Sequence, residues 1–130
     1  MTKRILLIED NEQNRYLATF LLERHGYRVE MAVDGRSGVH AATTAPPDLI
    51  LLDIQLPGMD GHAVARTLRG IPTLARVPII AVTSYAMVGD REKVLAAGCD
   101  GYLEKPIDPD TFVATIEAMA GFPPSRRADQ

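Results

Sequence analysis

The chain has little of several features that mark particular classes of protein. It has one cysteine, Cys99, in 130 residues, so an internal disulfide framework is excluded. Its formal net charge is -3, and no basic stretch is longer than the pair Arg126-Arg127, which argues against nucleic acid as a direct partner. No apolar run approaches the ~20 residues of a membrane helix, and no signal peptide opens the chain. We therefore expect a cytoplasmic protein without membrane contact.

Short apolar runs alternate with helical patterns along the whole chain, without repeats and without a linker. The predicted strands are 5–8, 27–32, 49–52, 79–82 and 101–103. Helices are predicted after Asn11, up to about Thr44, after Asp60, over about 89–97, and from Asp108-Pro109 onward. This pattern predicts one α/β domain over 1–121, followed by a flexible tail over 122–130.

The alternation predicts a doubly wound parallel sheet of five strands with five helices. The right-handed crossover rule leaves few topologies, and strand order 2-1-3-4-5 is the common one for five strands. The second strand is partly polar, which favours an edge position, and the third is the most apolar, which favours the centre. That order makes strands one and three neighbours.

Four of the predicted strands end on reactive polar groups. The groups that follow them are Glu9 with Asp10, Asp53, Thr83 with Ser84, and Lys105 with Pro106. Because parallel strands bring their carboxyl ends to one edge, these groups should gather where open α/β sheets bind ligands.

Crowded carboxylates without histidine or cysteine predict a site for Mg²⁺, with Mn²⁺ as the other possible ion. Without metal, one acid should have a raised pKa and the group should titrate as a unit. The Asp53 carboxylate could attack a phosphoryl donor and form an aspartyl phosphate. Lys105 and the metal would neutralise the transferring oxygens, and the Thr83 hydroxyl could donate to one of them. The spacing of the three histidines matches no metal-ligand pattern; they are His25, His40 and His62.

The chain resembles the receiver domain of bacterial two-component response regulators, the CheY-like fold. The resemblance covers about residues 3–119 and is carried by IEDN at 8–11, DLILLDIQLPGMDG at 48–61, VT at 82–83 and YLEKP at 102–106. In detail these stretches look most like the DivK-type single-domain regulators, and they also look like receivers attached to hybrid kinases. No motif residue of the family is missing.

The resemblance implies a role for each motif residue. Asp53 is the implied phosphoacceptor, Asp10 a direct Mg²⁺ ligand, Glu9 a ligand largely through water, and Gln55 a ligand through its backbone carbonyl. Thr83 and Lys105 are implied to contact the phosphoryl group, with Ser84 and Pro106 beside them. Tyr102 is the implied aromatic switch. The Lys105–Pro106 bond is implied to be cis, a geometry essentially confined to proline.

Two protein-binding surfaces are expected from the same resemblance. A histidine kinase or histidine phosphotransfer protein should dock on the first helix and the loop after Lys105, at Gln13, Asn14, Leu17 and Ile107. For Leu17, core packing is an equally good reading. A downstream protein target should bind a face that includes Tyr85, Ala86 and Met87, although burial of these side chains in their loop is an open alternative. A monomer, or a weak dimer that forms on phosphorylation, is expected.

Three functions compete for this sequence. The first is a single-domain response regulator, or a phosphorelay intermediate or hybrid-kinase receiver without an output of its own, with at most slow self-phosphorylation from small donors and self-dephosphorylation. The second is an aspartyl-phosphate phosphatase, which would need an Asp-x-Asp motif where the chain has Asp10-Asn11-Glu12, and a cap domain for which there is no length. The third is an FMN carrier, which acids after strand one disfavour because they repel phosphate. The first function is the prediction.

Overall fold

The computed structural model describes residues 2–84 and 89–126, which form a five-stranded parallel sheet with helices on both faces. The strands are β1 Arg4–Ile8, β2 Arg28–Ala32, β3 Leu49–Asp53, β4 Ile79–Thr83 and β5 Gly101–Glu104. The helices are α1 Glu12–Arg24, α2 Gly35–Thr44, α3 Gly61–Arg69, α4 Asp90–Ala96 and α5 Phe112–Ala120, with a short 3-10 helix at Pro72–Leu74. No helix of these ranges is long and apolar enough to cross a membrane.

The strand order is β2-β1-β3-β4-β5, as predicted, and every neighbouring pair is parallel. The partly polar second strand lies at an edge of the sheet, as predicted. The third strand lies at the centre, also as predicted, and every one of its residues is buried. Ile8 pairs with Leu52, so the residues that follow β1 meet the end of β3. The register therefore brings the predicted site residues to one edge of the sheet.

Side chains alternate between two cores, one on each face of the sheet. Leu6 and Ile50 lie in the core beneath α2, α3 and α4, whereas Ile5 and Leu49 lie in the core beneath α1 and α5. A strand buried on both faces reads as a continuous apolar run because each alternate residue meets a different helical layer.

Several helix boundaries follow local capping chemistry. The side chains of Asn11, Asp34 and Asp60 accept hydrogen bonds from backbone N–H groups at the starts of α1, α2 and α3. Gly26, just after the end of α1, has φ +87°, which only glycine adopts without cost. Asp34 and Gly35 form the capped start of α2.

The starts of the second strand and of the fifth helix differ from the prediction for local reasons. The second strand begins at Arg28 and not at residue 27, because the Tyr27 N–H donates to Leu22 O at the end of α1 while Arg28 N–H donates to Lys3 O in the sheet. The fifth helix begins at Phe112, because Asp108 first closes a turn by accepting from Asp110 N and Thr111 N. An aspartate at a turn can cap that turn instead of the helix.

The segment after α5, part of the stretch predicted as a tail, makes contacts with the domain. The Phe122 ring stacks on Tyr27 with ring centroids 6.2 Å apart, and the Lys3 ammonium lies 4.7 Å from the Phe122 centroid. Ser125 N–H donates to Glu117 Oε2 over 3.1 Å. Residues 122–126 therefore belong to the folded unit.

Candidate functional site

Three carboxylates meet at the carboxyl edge of β1 and β3. Glu9 and Asp10 follow β1 and Asp53 ends β3, and one ligand oxygen from each lies within 4.8 Å of the others. Glu9 and Asp53 are 4% and 3% exposed, whereas Asp10 lies at the surface. This all-oxygen donor set, open on one side, fits a small hard cation such as Mg²⁺ or Mn²⁺.

Lys105 supplies positive charge to two of these acids. Its Nζ lies 2.7 Å from Glu9 Oε1 and 3.3 Å from Asp53 Oδ2. Its backbone N–H donates to Thr83 O over 2.7 Å, and the Lys105–Pro106 peptide bond is cis, as predicted. The backbone bond beyond the end of β4 thus aims the ammonium at the phosphoacceptor candidate.

Glu9 is the acid of the cluster whose pKa is perturbed. Burial, followed by a hydrogen bond to the Asp53 carboxylate, raises the pKa of Glu9 to about 7, and Lys105 opposes the shift only in part. One raised pKa in the metal-free group is the predicted response of crowded carboxylates. A bound cation would favour the ionised form of Glu9 and so oppose the rise in its pKa.

The side chain of Gln55 is part of the site, although sequence reasoning assigned a role only to its backbone carbonyl. Gln55 Nε2 donates to Thr83 Oγ1, and Gln55 Oε1 accepts from Ser84 N over 2.9 Å. Gln55 N itself donates to Asp53 Oδ1 over 2.9 Å. No local pattern indicates these side-chain bonds, because they depend on how the ends of β3 and β4 lie next to each other.

Tyr102 is half-buried on β5 and lines a cavity of about 120 Å³ together with Gln55, His62 and Thr83. Burial, with the nearby carboxylates of Glu104 and Asp90, raises the pKa of the Tyr102 phenol. Tyr102 therefore borders open space next to Thr83, where the implied switch would need it.

The predicted docking residues share one end of the molecule but differ in exposure. Gln13 is exposed, Asn14 and Leu17 are half-buried, and Ile107 is partly buried against the core beneath α1 and α5. Sequence reasoning missed two exposed aromatics on the same helix. Tyr16 and Phe20 are 73% and 43% exposed and stack with centroids 6.3 Å apart. The predicted output residues Tyr85, Ala86 and Met87 lie outside the described residues.

Comparison with known proteins agrees with this geometry. Residues 5–117 match the family described as the response regulator receiver domain. The chain belongs to that family. It is 40% identical over 121 residues to the polar-differentiation response regulator DivK of Brucella ovis, covering 93% of this chain and 98% of that protein. DivK of Brucella anthropi matches to the same extent.

Solved receiver structures share the fold. The receiver domain of the sensor histidine kinase PA1611 of Pseudomonas aeruginosa, solved with a magnesium ion coordinated in its active-site cleft, is 38% identical with a TM-score of 0.84 and covers 93% of this chain and 99% of its own. The chemotaxis response regulator CheY4 of Vibrio cholerae is 28% identical with a TM-score of 0.87 and covers 92% and 99%. The two-component assignment and the CheY-like fold predicted from sequence are confirmed.

Proposed function

We propose that this receiver domain accepts a phosphoryl group on Asp53 from the phosphohistidine of a histidine kinase or a histidine phosphotransfer protein. One observation carries the proposal: a buried carboxylate at a sheet edge lies 3.3 Å from the Lys105 ammonium and next to two further acids. An aspartate in that setting is an activated oxygen nucleophile with charge compensation already in place.

In the transfer step, a carboxylate oxygen of Asp53 attacks phosphorus and forms a P–O bond. The P–N bond to the donor imidazole breaks, and its electron pair returns to the ring. Glu9, Asp10, Asp53 and the backbone carbonyl of Gln55 would hold the metal; bound Mg²⁺ would supply positive charge beside the phosphoryl oxygens. Lys105 neutralises a further oxygen, and the Thr83 hydroxyl, with the backbone near Ser84 and Pro106, receives the product.

The added phosphoryl group is proposed to act as a switch on protein contacts. Its charge draws Thr83 toward Asp53 and changes the space open to the Tyr102 ring, which biases a two-state element. The half-buried position of Tyr102 beside the cavity supports this reading. The chain does not turn over a metabolite in this proposal; small phosphodonors and water react with the site only slowly.

The proposed donor docks on α1 and on the loop after Lys105. The aromatic pair Tyr16 and Phe20 supports this, since exposed apolar patches on otherwise polar surfaces are typical of binding sites. In this proposal the chain is a monomer, or a weak dimer after phosphorylation.

The decisive experiment is intact-mass spectrometry after incubation with Mg²⁺ and acetyl phosphate. Wild-type protein should gain one phosphoryl mass, and Asp53→Asn should gain none while keeping its circular dichroism spectrum. Asp110→Asn, a change at an exposed aspartate beyond the site, serves as the matched control and should label like wild type. Full labelling of Asp53→Asn would overturn the assignment.

The likeness to the receiver of the sensor kinase PA1611 favours a second candidate, a relay receiver that hands its phosphoryl group on. Purified, phosphorylated protein mixed with a histidine phosphotransfer protein separates the two candidates. Rapid loss of label to the histidine protein supports a relay, whereas retention over minutes supports a switch.

A further inference from the structure

The Gln55 carboxamide bridges the end of β3 to the end of β4. Its nitrogen donates to the Thr83 hydroxyl oxygen, and its oxygen accepts from the Ser84 backbone N–H over 2.9 Å. Both ends of one amide are therefore bonded to two consecutive residues of the neighbouring strand end. A bidentate amide of this kind defines both the side-chain rotamer of Thr83 and the backbone position of Ser84.

The same residue is tied to the phosphoacceptor from its other side. Gln55 N–H donates to Asp53 Oδ1, and Asp53 pairs with Val82 in the sheet register. Thr83 therefore follows the residue that pairs with Asp53, and Gln55 lies between the two strand ends. Any displacement of Thr83 toward Asp53 must break or carry along the Gln55 bonds.

We propose that Gln55 is a positioning residue. Its side chain holds Thr83 and Ser84 in the arrangement of the unphosphorylated protein and releases them when Asp53 becomes phosphorylated. The inference rests on the proposed function, and it deepens that function by naming what opposes the switch. The backbone carbonyl of Gln55, expected to bind the metal, has no part in this proposal, because the two bonds described here belong to the side chain alone.

The size of the effect follows from the two neutral hydrogen bonds involved. The net loss of one such bond corresponds to about a 2- to 10-fold change in an equilibrium. Removing the bridge should therefore favour the phosphorylated arrangement by a factor in this range for the Thr83 bond alone.

The first test uses hydrogen exchange by NMR on metal-free protein, comparing wild type with Gln55→Met. Methionine keeps the length of glutamine but neither donates nor accepts strongly. The Ser84 amide should exchange about 3-fold faster or more in Gln55→Met. The Ile54 amide, which donates to Val82 O between the same strands, should keep its rate. Equal acceleration of both amides would show a general loosening and overturn the proposal, as would an unchanged Ser84 rate.

The second test is a double-mutant cycle with beryllofluoride, which mimics the phosphoryl group, at saturating Mg²⁺. Gln55→Met should bind beryllofluoride at least about 2- to 10-fold more tightly than wild type, the range expected for the Thr83 bond alone. In the Thr83→Val background, which lacks the hydroxyl, the gain from Gln55→Met should shrink to the part owed to Ser84. A full gain in both backgrounds, or no gain in either, would overturn the proposal.

The two tests also separate failure of this inference from failure of the proposed function. If wild-type protein does not bind beryllofluoride at all, the proposed function fails and the release step fails with it. If wild type binds and labels on Asp53 but Gln55→Met behaves as wild type in both tests, the proposed function stands and only the role of Gln55 is overturned.

Discussion

At the scale of single residues, the site places three acids beside one lysine, so their negative charges are only partly neutralised. Glu9 and Asp53 are buried, and one ammonium serves both of them. Two buried carboxylates beside a single cation leave one negative charge in excess, and burial together with the neighbouring Asp53 carboxylate raises the pKa of Glu9. The excess negative charge favours binding of a cation, and the same charge destabilises the metal-free protein.

The raised pKa of Glu9 predicts how the stability of the metal-free protein depends on pH. Its folded-state pKa of about 7 lies above the ordinary glutamate value of 4.5, so the folded state binds more protons than the unfolded state between these pH values. The free energy of unfolding should therefore fall as pH rises from 4.5 to 7, by an amount on the order of 1–3 kcal/mol.

Thermal melts in chelator across that range measure the effect. Glu9→Gln, which removes the titrating carboxyl at nearly constant shape, should flatten the profile, and saturating Mg²⁺ should do the same in wild type. A wild-type stability that rises steadily through this range would contradict the raised pKa of Glu9.

At the scale of elements, α3 is anchored at both ends. At its start, a Cβ added to Gly61 would lie 2.5 Å from the Ile54 backbone, so the helix approaches the loop after β3 more closely than any other residue permits. At its end, Arg69 Nε donates to Gly98 O over 3.0 Å, and its guanidinium lies 2.7 Å from Asp100 Oδ2. The first anchor places the start of α3 directly against the residue that precedes Gln55.

Substitution at the first anchor should therefore be costly. Gly61→Ala should destabilise the protein by about 1–3 kcal/mol, because the clashing atoms are backbone and cannot move away as a side chain could. Gly70→Ala is the matched control at the other end of α3, where a Cβ meets nothing closer than 3.5 Å. It should change stability by less than about 1 kcal/mol. Urea unfolding measures the stability of both variants. Equal unfolding midpoints for Gly61→Ala and Gly70→Ala would refute the close approach of Gly61 to the Ile54 backbone.

At the scale of the whole molecule, the proposed phosphorylation site and the packing of the C-terminal segment lie at opposite edges of the sheet. The phosphoacceptor is at the carboxyl edge, whereas the segment 122–126 closes the amino edge over Tyr27 and Glu117. Tyr27 Oη donates to Glu117 Oε2, which also accepts from Ser125 N–H. Burial and this carboxylate raise the pKa of the Tyr27 phenol.

Deleting residues 122–130 should destabilise the domain without touching the site. A buried Glu117 would lose a backbone donor and Tyr27 would lose its stacked ring, at a cost of about 1–3 kcal/mol. Ser125→Ala, which keeps the backbone N–H, should have a much smaller effect. Urea unfolding and acetyl phosphate labelling together test this, and unchanged stability on deletion would show that the packing contributes nothing.

The docking surface is also a property of the whole molecule, since it joins α1 to the loop after β5. Tyr16→Ala should slow phosphotransfer from a phosphorylated histidine phosphotransfer protein that labels wild type. It should leave labelling by acetyl phosphate unchanged. Leu95→Ala is the matched control, because Leu95 is an exposed apolar residue on α4. Slowing with both donors would indicate damage to the phosphorylation site and count against docking on α1.

The sequence by itself determined the elements and the kinds of chemistry they carry. Apolar runs mark buried strands because a strand covered on both faces needs apolar residues along its length, as at residues 49–52 of β3. The polar group after each run is also local information, so Glu9, Asp10, Asp53, Thr83 and Lys105 could all be named in advance. Their convergence followed from strand order, which the crossover rule restricts.

Only the tertiary structure decided which of these groups touch. The bonds from Gln55 to Thr83 and Ser84 join residues 28 and 29 positions apart, and the bond from Tyr27 to Glu117 spans 90 positions. No local pattern encodes such contacts, because they depend on register, rotamer and the approach of separate elements. The late start of α5 and the packing of residues 122–126 have the same origin: competing local bonds and distant partners outweigh the propensity of the segment itself.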